Sequence, residues 1–167
     1  IPFIRVMDSL TLAISQGSLR RGSAAIYLPI WHPEIEEFIE LRRPTGGDPN
    51  RKALNLHHGV LVTNGFMQAV ERGEEWALKS PKDGHVVDKV NARDLWIRLL
   101  TARIETGEPY IVYIDHVNDS IPDHHKMAGL NVKMSNLCSE FTLPTAIHHL
   151  GHDRTAVCCL SPSKLET

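Results

Sequence analysis

Three short apolar runs, at residues 23–28, 59–62 and 110–114, are each separated from the next by a stretch long enough to hold a helix. Antiparallel neighbours can be joined by a tight turn, whereas parallel neighbours need a crossover of about a dozen residues or more. The order strand, helix, strand therefore predicts an α/β chain with parallel strands. The helical stretches carry their own signals. Pro2 suits a first turn, and Phe3, Val6, Met7, Leu10 and Ile14 follow at helical spacing until Gly17. Pro33 starts a second helix, with Glu34, Glu36 and Glu37 in its first turns and a stripe of Ile35, Phe38 and Ile39. A short helix over 66–72 ends at Gly73, and a strand is expected over 75–78. Asn91 is a good N-cap for a helix with Asp94 in its first turn and Leu95, Leu99, Ala102 and Ile104 repeating until Gly107. Residues 45–50 and 80–84 read as turns.

With 167 residues, 42 % of them hydrophobic and 23 % charged, the chain has the composition of a soluble globular protein with one core. A net charge of −2 gives no support to a nucleic-acid or membrane-surface partner. No apolar run reaches the roughly 18–20 residues of a membrane span, and no signal peptide opens the chain. Three cysteines, Cys138, Cys158 and Cys159, cluster in the last third. An odd, clustered set suits catalysis or metal binding in a reducing compartment, so a cytoplasmic location is expected. The start at Ile1-Pro2-Phe3 without a methionine and the stop at Leu165-Glu166-Thr167 lead to the expectation of a fragment of a longer fold.

The chemistry concentrates in residues 135–141, where Asn136, Cys138 and Glu140 occupy every second position. In an extended segment these three line one face, and Leu137, Ser139 and Phe141 line the other. A thiol then sits between a hydrogen-bonding amide and a potential general base, a combination with no use in packing alone.

The run Asn136-Leu137-Cys138-Ser139-Glu140, followed by Leu143-Pro144-Thr145 and Ala156-Val157-Cys158, resembles the active-site region of the ribonucleotide reductase large (catalytic) subunit. The block from Ser15-Gln16-Gly17 through Arg20-Arg21-Gly22-Ser23-Ala24 into Ile26-Tyr27-Leu28-Pro29-Ile30-Trp31-His32 resembles that family's substrate-specificity loop and the strand and helix after it. Gly107-Glu108-Pro109-Tyr110-Ile111 and Asp115-His116-Val117-Asn118 resemble the segment before its catalytic loop. The resemblance covers essentially the whole chain, which covers only a fraction of the family's subunit.

The resemblance implies a fold: a ten-stranded α/β barrel of two five-stranded halves, with the cysteine loop through its centre. This chain would supply part of it, with the specificity loop at about 15–24, the catalytic loop at about 135–141 and the start of the second half at about 156–161. It also implies roles. Cys138 would be the thiyl that abstracts the 3′ hydrogen, Glu140 the base for the 3′-hydroxyl, and Asn136 the amide that holds the substrate hydroxyls. Cys158 would be one member of the redox dithiol, its partner lying outside this sequence. Cys159 faces the opposite way on a strand, and neighbouring cysteines are poorly placed to pair with each other. In the specificity loop the matched residues are Gln16, Gly17, Arg20 and Gly22.

The implied partners are a ribonucleoside diphosphate, nucleoside triphosphate effectors, the remaining large-subunit segments in an oligomer, and a separate metal-containing small subunit that generates the radical. Adenosylcobalamin is the alternative radical source, and thioredoxin or glutaredoxin the external reductant. No cofactor is expected on this segment. Two other readings compete: a non-catalytic module that acts only by assembling with other reductase chains, and a zinc protein built from His148, His149, His152 and the cysteines. The zinc reading lacks paired Cys-x-x-Cys spacing, and Gly151 interrupts the helix that His148 and His152 need. His57-His58 and His124-His125 read as loop or surface residues, and Tyr27, Trp31 and Trp96 as packing residues. Pro162 departs from the family pattern by breaking the last strand early.

Overall fold

The central strand of the molecule is β2 (His57–Val62), and its alternation divides everything else into two sides. His58, Val60 and Val62 point one way and are essentially inaccessible, whereas His57, Gly59 and Leu61 point the other. The computed structural model describes residues 1–15, 19, 21–147 and 150–158. In it β2 is flanked in parallel by β1 (Ala25–Pro29) and β5 (Tyr110–Tyr113), in the order β1-β2-β5. Ala25 pairs with His57 and Gly59 with Tyr110, so Tyr27, Gly59 and Tyr110 form one row across the sheet. The α/β class and the parallel pairing expected from the strand–helix–strand order are both present.

Helices cover the His58–Val60–Val62 side. They are α2 (Ile35–Ile39), α3 (Asn64–Arg72) and α4 (Ala92–Thr106), contributing Ile35, Phe38, Ile39, Phe66, Leu95 and Leu99 to the core. Local chemistry sets their ends. Thr63 Oγ1 accepts from Phe66 N at 3.2 Å to start α3, which closes at Gly73. Asn91 Oδ1 accepts from Arg93 N and Asp94 N at 3.0 and 3.1 Å to start α4, as its sequence position predicted. Between them an antiparallel hairpin, β3 (Glu75–Lys79) with β4 (Val86–Asn91), docks on the end of β1. Lys79 N donates to Trp31 O at 2.7 Å, and Trp76 Nε1 donates to Ile30 O at 3.3 Å. Strand β4 carries no apolar alternation, because most of it is exposed on both faces, which hides it in the sequence.

Helix α1 (Pro2–Ala13) forms as expected, but its apolar stripe is turned outward. Ile4, Asp8 and Thr11 face the chain, while Phe3, Val6, Met7, Leu10 and Ile14 are exposed. Ile4 joins the core, and polar ties add to it: Asp8 accepts from the backbone N of Asn55 at 2.7 Å and from its amide at 3.0 Å.

After β5 come α5 (Ile114–Asp119) and α6 (Asp123–Met127). A two-residue pair comes next, β6 (Ala146–Ile147) with β7 (Asp153–Arg154). Gly151, at φ 79°, lies in the connection between β6 and β7, so this region is a hairpin. The strand expected over 156–161 is absent as far as Cys158, and Ala156 N bonds to Thr145 Oγ1 instead of to a strand neighbour. Cys159, Leu160 and Pro162 lie outside the described residues, as do His148 and His149.

Phe66 is completely buried and meets Trp76 and Trp96 edge-on, with centroids 5.2 and 6.3 Å away. It joins hairpin, α3 and α4 in one aromatic contact. Phe66→Ala should lower unfolding free energy by about 3–5 kcal/mol in urea titration, and Phe66→Leu by clearly less, because it leaves a smaller cavity. Equal losses would contradict this, because Leu fills part of the space that Ala leaves empty.

Candidate active site

The open side of the sheet carries the row Tyr27–Gly59–Tyr110, and the absence of a side chain at its centre matters. A Cβ on Gly59 would lie 2.6 Å from Tyr27 Cδ1, and closer still to Cε1, and 3.3 Å from Tyr110 Cβ. Glycine therefore lets the Tyr27 ring lie flat across β2. The phenol then reaches the loop above: Tyr27 Oη and Ser135 Oγ share a hydrogen bond of 2.5 Å, and Tyr27 also donates to Asn136 O at 3.3 Å. Upstream, Asn118 on α5 grips both backbone groups of Val132, accepting from its N at 2.8 Å and donating to its O at 3.0 Å. Residues 132–136 are thus held at two points by side chains that the sheet and α5 supply.

Beyond these anchors the chain does not run extended. Ser139 adopts φ 66°, its N donates to Asn136 O at 3.1 Å, and Asn136 N donates to Phe141 O at 3.1 Å. Residues 137–139 are a turn with Cys138 exposed near its tip, so the alternating faces inferred for 135–141 do not exist. The expectation failed because one residue in the left-handed region reverses the chain and ends the two-residue period. Closure of the turn nevertheless brings the chemistry together. Asn136 Nδ2 donates to Glu140 Oε1 at 2.6 Å, its Oδ1 accepts from Phe141 N at 2.9 Å, and Cys158 Sγ lies 4.0 Å from the same Glu140 oxygen. Amide, carboxylate and second thiol meet around the Cys138 turn. Across the sheet, the Tyr110 hydroxyl pKa is pushed up, chiefly by burial and then by the nearby Glu108 carboxylate, against Arg42.

Of the specificity-loop residues, Gln16, Gly17 and Arg20 lie outside the described residues. Gly22 is seated on the end of α1: its N donates to Ser15 Oγ at 2.9 Å, and a Cβ would stand 2.5 Å from Thr11 O. Only glycine permits that approach.

The model of the ribonucleotide reductase barrel domain matches residues 1–167, the whole chain. The chain belongs to the ribonucleotide reductase barrel family. It is 52 % identical over 166 residues to a Frog virus 3 protein carrying the name of a ribonucleoside-diphosphate reductase large subunit, covering 99 % of this chain and 28 % of that one. Against the large subunit of Invertebrate iridescent virus 3 it is 36 % identical over 220 residues, covering 99 % and 34 %. Among solved structures it resembles the class Id ribonucleotide reductase alpha subunit of Actinobacillus ureae, with TM-score 0.67 and 28 % identity over 86 % of this chain and 23 % of that one. The chain therefore spans about a third or less of these relatives, and its sheet is part of a barrel.

One cluster in this reductase segment escaped the sequence reading. His57 and His58 are strand residues, and both give Nδ1 to the carboxylate of Glu108. His58 does so at 2.9 Å and adds its backbone N at 3.1 Å, while Arg42 Nε stands 3.8 Å away. Burial alone would raise the Glu108 carboxyl. The bonds from His58 and His57, the Arg42 charge and the His58 N–H outweigh it and hold the pKa at about 2. His58 Nε2 is buried with no hydrogen-bond partner among the described residues. The only sequence signal was a glutamate placed just before the β5 strand, opposite a histidine pair at the start of β2.

Since Glu108 is ionised in the fold at pH values where the unfolded chain has already taken up a proton, its contribution is complete above about pH 4.5 and fades as pH falls towards 2. Glu108→Gln should cost about 2–4 kcal/mol at pH 7 and progressively less below pH 4.5. Unfolding of both proteins across that range measures it, and a pH-independent difference would contradict the charged tie.

Proposed function

We propose that this chain is the barrel segment of a ribonucleoside-diphosphate reductase large subunit, which converts ribonucleotides to 2′-deoxyribonucleotides for DNA synthesis. The observation that carries the reading is the meeting of Asn136, Glu140 and Cys158 around the exposed Cys138 turn, held by Tyr27 and Asn118. The 2′-hydroxyl is a poor leaving group on an unactivated carbon, and a radical at the neighbouring carbon makes its loss easy. Cys138, as a thiyl, takes the 3′ hydrogen atom and becomes a thiol. Glu140, oriented by Asn136, accepts the 3′-hydroxyl proton, and the C2′–O bond breaks with loss of water. Cys158 and a second thiol from outside this sequence close to a disulfide and give up two protons and two electrons. One proton leaves with the 2′-hydroxyl as water, one hydrogen goes to C2′, and the remaining electron goes to the 3′ carbonyl as Glu140 returns its proton to the 3′ oxygen. The Cys138 thiol then returns its hydrogen to C3′, so the thiyl is regenerated.

The radical comes from a separate metal-containing small subunit, with adenosylcobalamin as the alternative source. Thioredoxin or glutaredoxin reopens the disulfide, nucleoside triphosphates act as effectors through the 15–24 loop, and the subunit works as an oligomer in the cytoplasm. Among the described residues no helix is long and apolar enough to cross a membrane.

In the intact large subunit with its radical partner, Cys138→Ser should abolish turnover while nucleotide binding stays near wild type. Glu140→Gln should slow turnover by roughly 10²–10⁴. Cys158→Ser should allow substrate to be consumed without yielding deoxynucleotide. Product formation by the Cys138→Ser protein would overturn the assignment.

A further inference from the structure

His57 lies on the same face as Gly59, two residues earlier on β2, which is roughly 6–7 Å along the strand from the row that anchors the catalytic turn. Its ring is fixed on two sides. Nδ1 is committed to Glu108, and the imidazole stacks on Tyr110 with planes 1° apart and centroids at 6.2 Å. The remaining polar atom, Nε2, has no hydrogen-bond partner among the described residues. His57 also lines a cavity of about 370 Å³, whose other walls include Arg21, Gly22 and Ser23 of the loop, Leu12 and Ser15 of the α1 end, and Asn55. That volume falls in the range of small-molecule sites, roughly 300–1,000 Å³, and the walls mix hydrogen-bonding groups with an apolar surface.

We propose that His57 is a specificity-determining residue that reads the nucleobase of the bound ribonucleotide. The inference rests on the ribonucleotide reading above. A nucleotide whose sugar is held at the Asn136–Glu140 turn reaches the cavity with its base, one strand step away. With Nδ1–H directed to the Glu108 carboxylate, an imidazole carrying one proton presents Nε2 as an acceptor. An acceptor favours the exocyclic amino groups of adenine and cytosine over the carbonyl oxygens that guanine and uracil carry at the matching place. Glu108 is a positioning residue here: it sets the tautomer and does not touch the base.

The test is equilibrium binding of ADP, CDP, GDP and UDP to the intact large subunit, with wild type, His57→Phe and His57→Gln compared. His57→Phe keeps the stacking on Tyr110 and removes the acceptor. It should weaken ADP and CDP by about 3–10-fold relative to GDP and UDP, the worth of one neutral hydrogen bond. His57→Gln, whose amide oxygen accepts, should recover at least part of that ratio. A uniform change across the four nucleotides, or none, overturns the proposal and leaves His57 a packing residue. The underlying reading is tested separately by turnover of the Cys138→Ser subunit, so the two can fail independently.

Discussion

The contact from sheet to loop made by the Tyr27 hydroxyl, with Ser135 Oγ and Asn136 O, decides where the Cys138 turn of this molecule lies. It spans the row above Gly59, and it exists because that position has no side chain to lift the ring. Three constraints of different range are combined in it. Parallel register puts Tyr27, Gly59 and Tyr110 side by side, the missing Cβ opens the space, and Asn118 feeds the loop in at the right height by holding Val132. The turn beyond is then closed by its own amide and carboxylate, Asn136 and Glu140, so the groups that orient the loop are also the groups proposed to act on substrate.

The two sides of β2 divide the packed core from the face that meets the Cys138 loop. His58, Val60 and Val62 meet α2, α3 and α4 and belong to the packed core. His57 lines a cavity and Gly59 lies under the Tyr27 ring that reaches the loop. Glu108 links the sides: one of its oxygens binds His57 on the open face and the other binds His58 in the core. A carboxylate buried in this way costs desolvation energy that its two imidazoles, a backbone N–H and Arg42 offset. The charge network thereby locks β2 to the start of β5 at the end of the sheet where residues 21–24 enter β1.

Local signals were readable wherever the chemistry is local. Asn91 caps α4, Gly107 closes it, and the helical length of the crossovers implied parallel strands, all without reference to distant residues. That Asn136 and Glu140 belong to one cluster was legible in their spacing, but the arrangement was not. The alternation argument assumed an extended backbone, and Ser139 in the left-handed region replaces it with a turn. The His57–His58–Glu108 cluster was invisible for a different reason: its members lie 50 and 51 residues apart and meet only through strand register. The outward stripe of α1 shows the limit of periodicity, which announces a helix but not which face the rest of the protein covers.

The central claim is that the turn carrying Cys138 acts on the 3′ carbon of a ribonucleotide. The most direct measurement compares the intact large subunit, with its radical partner and dithiol, on substrate deuterated at C3′ and on unlabelled substrate. The account predicts a lower kcat/KM for the deuterated nucleotide, with the label retained at C3′ of the deoxynucleotide. Equal kcat/KM values together with loss of the label to solvent would contradict it.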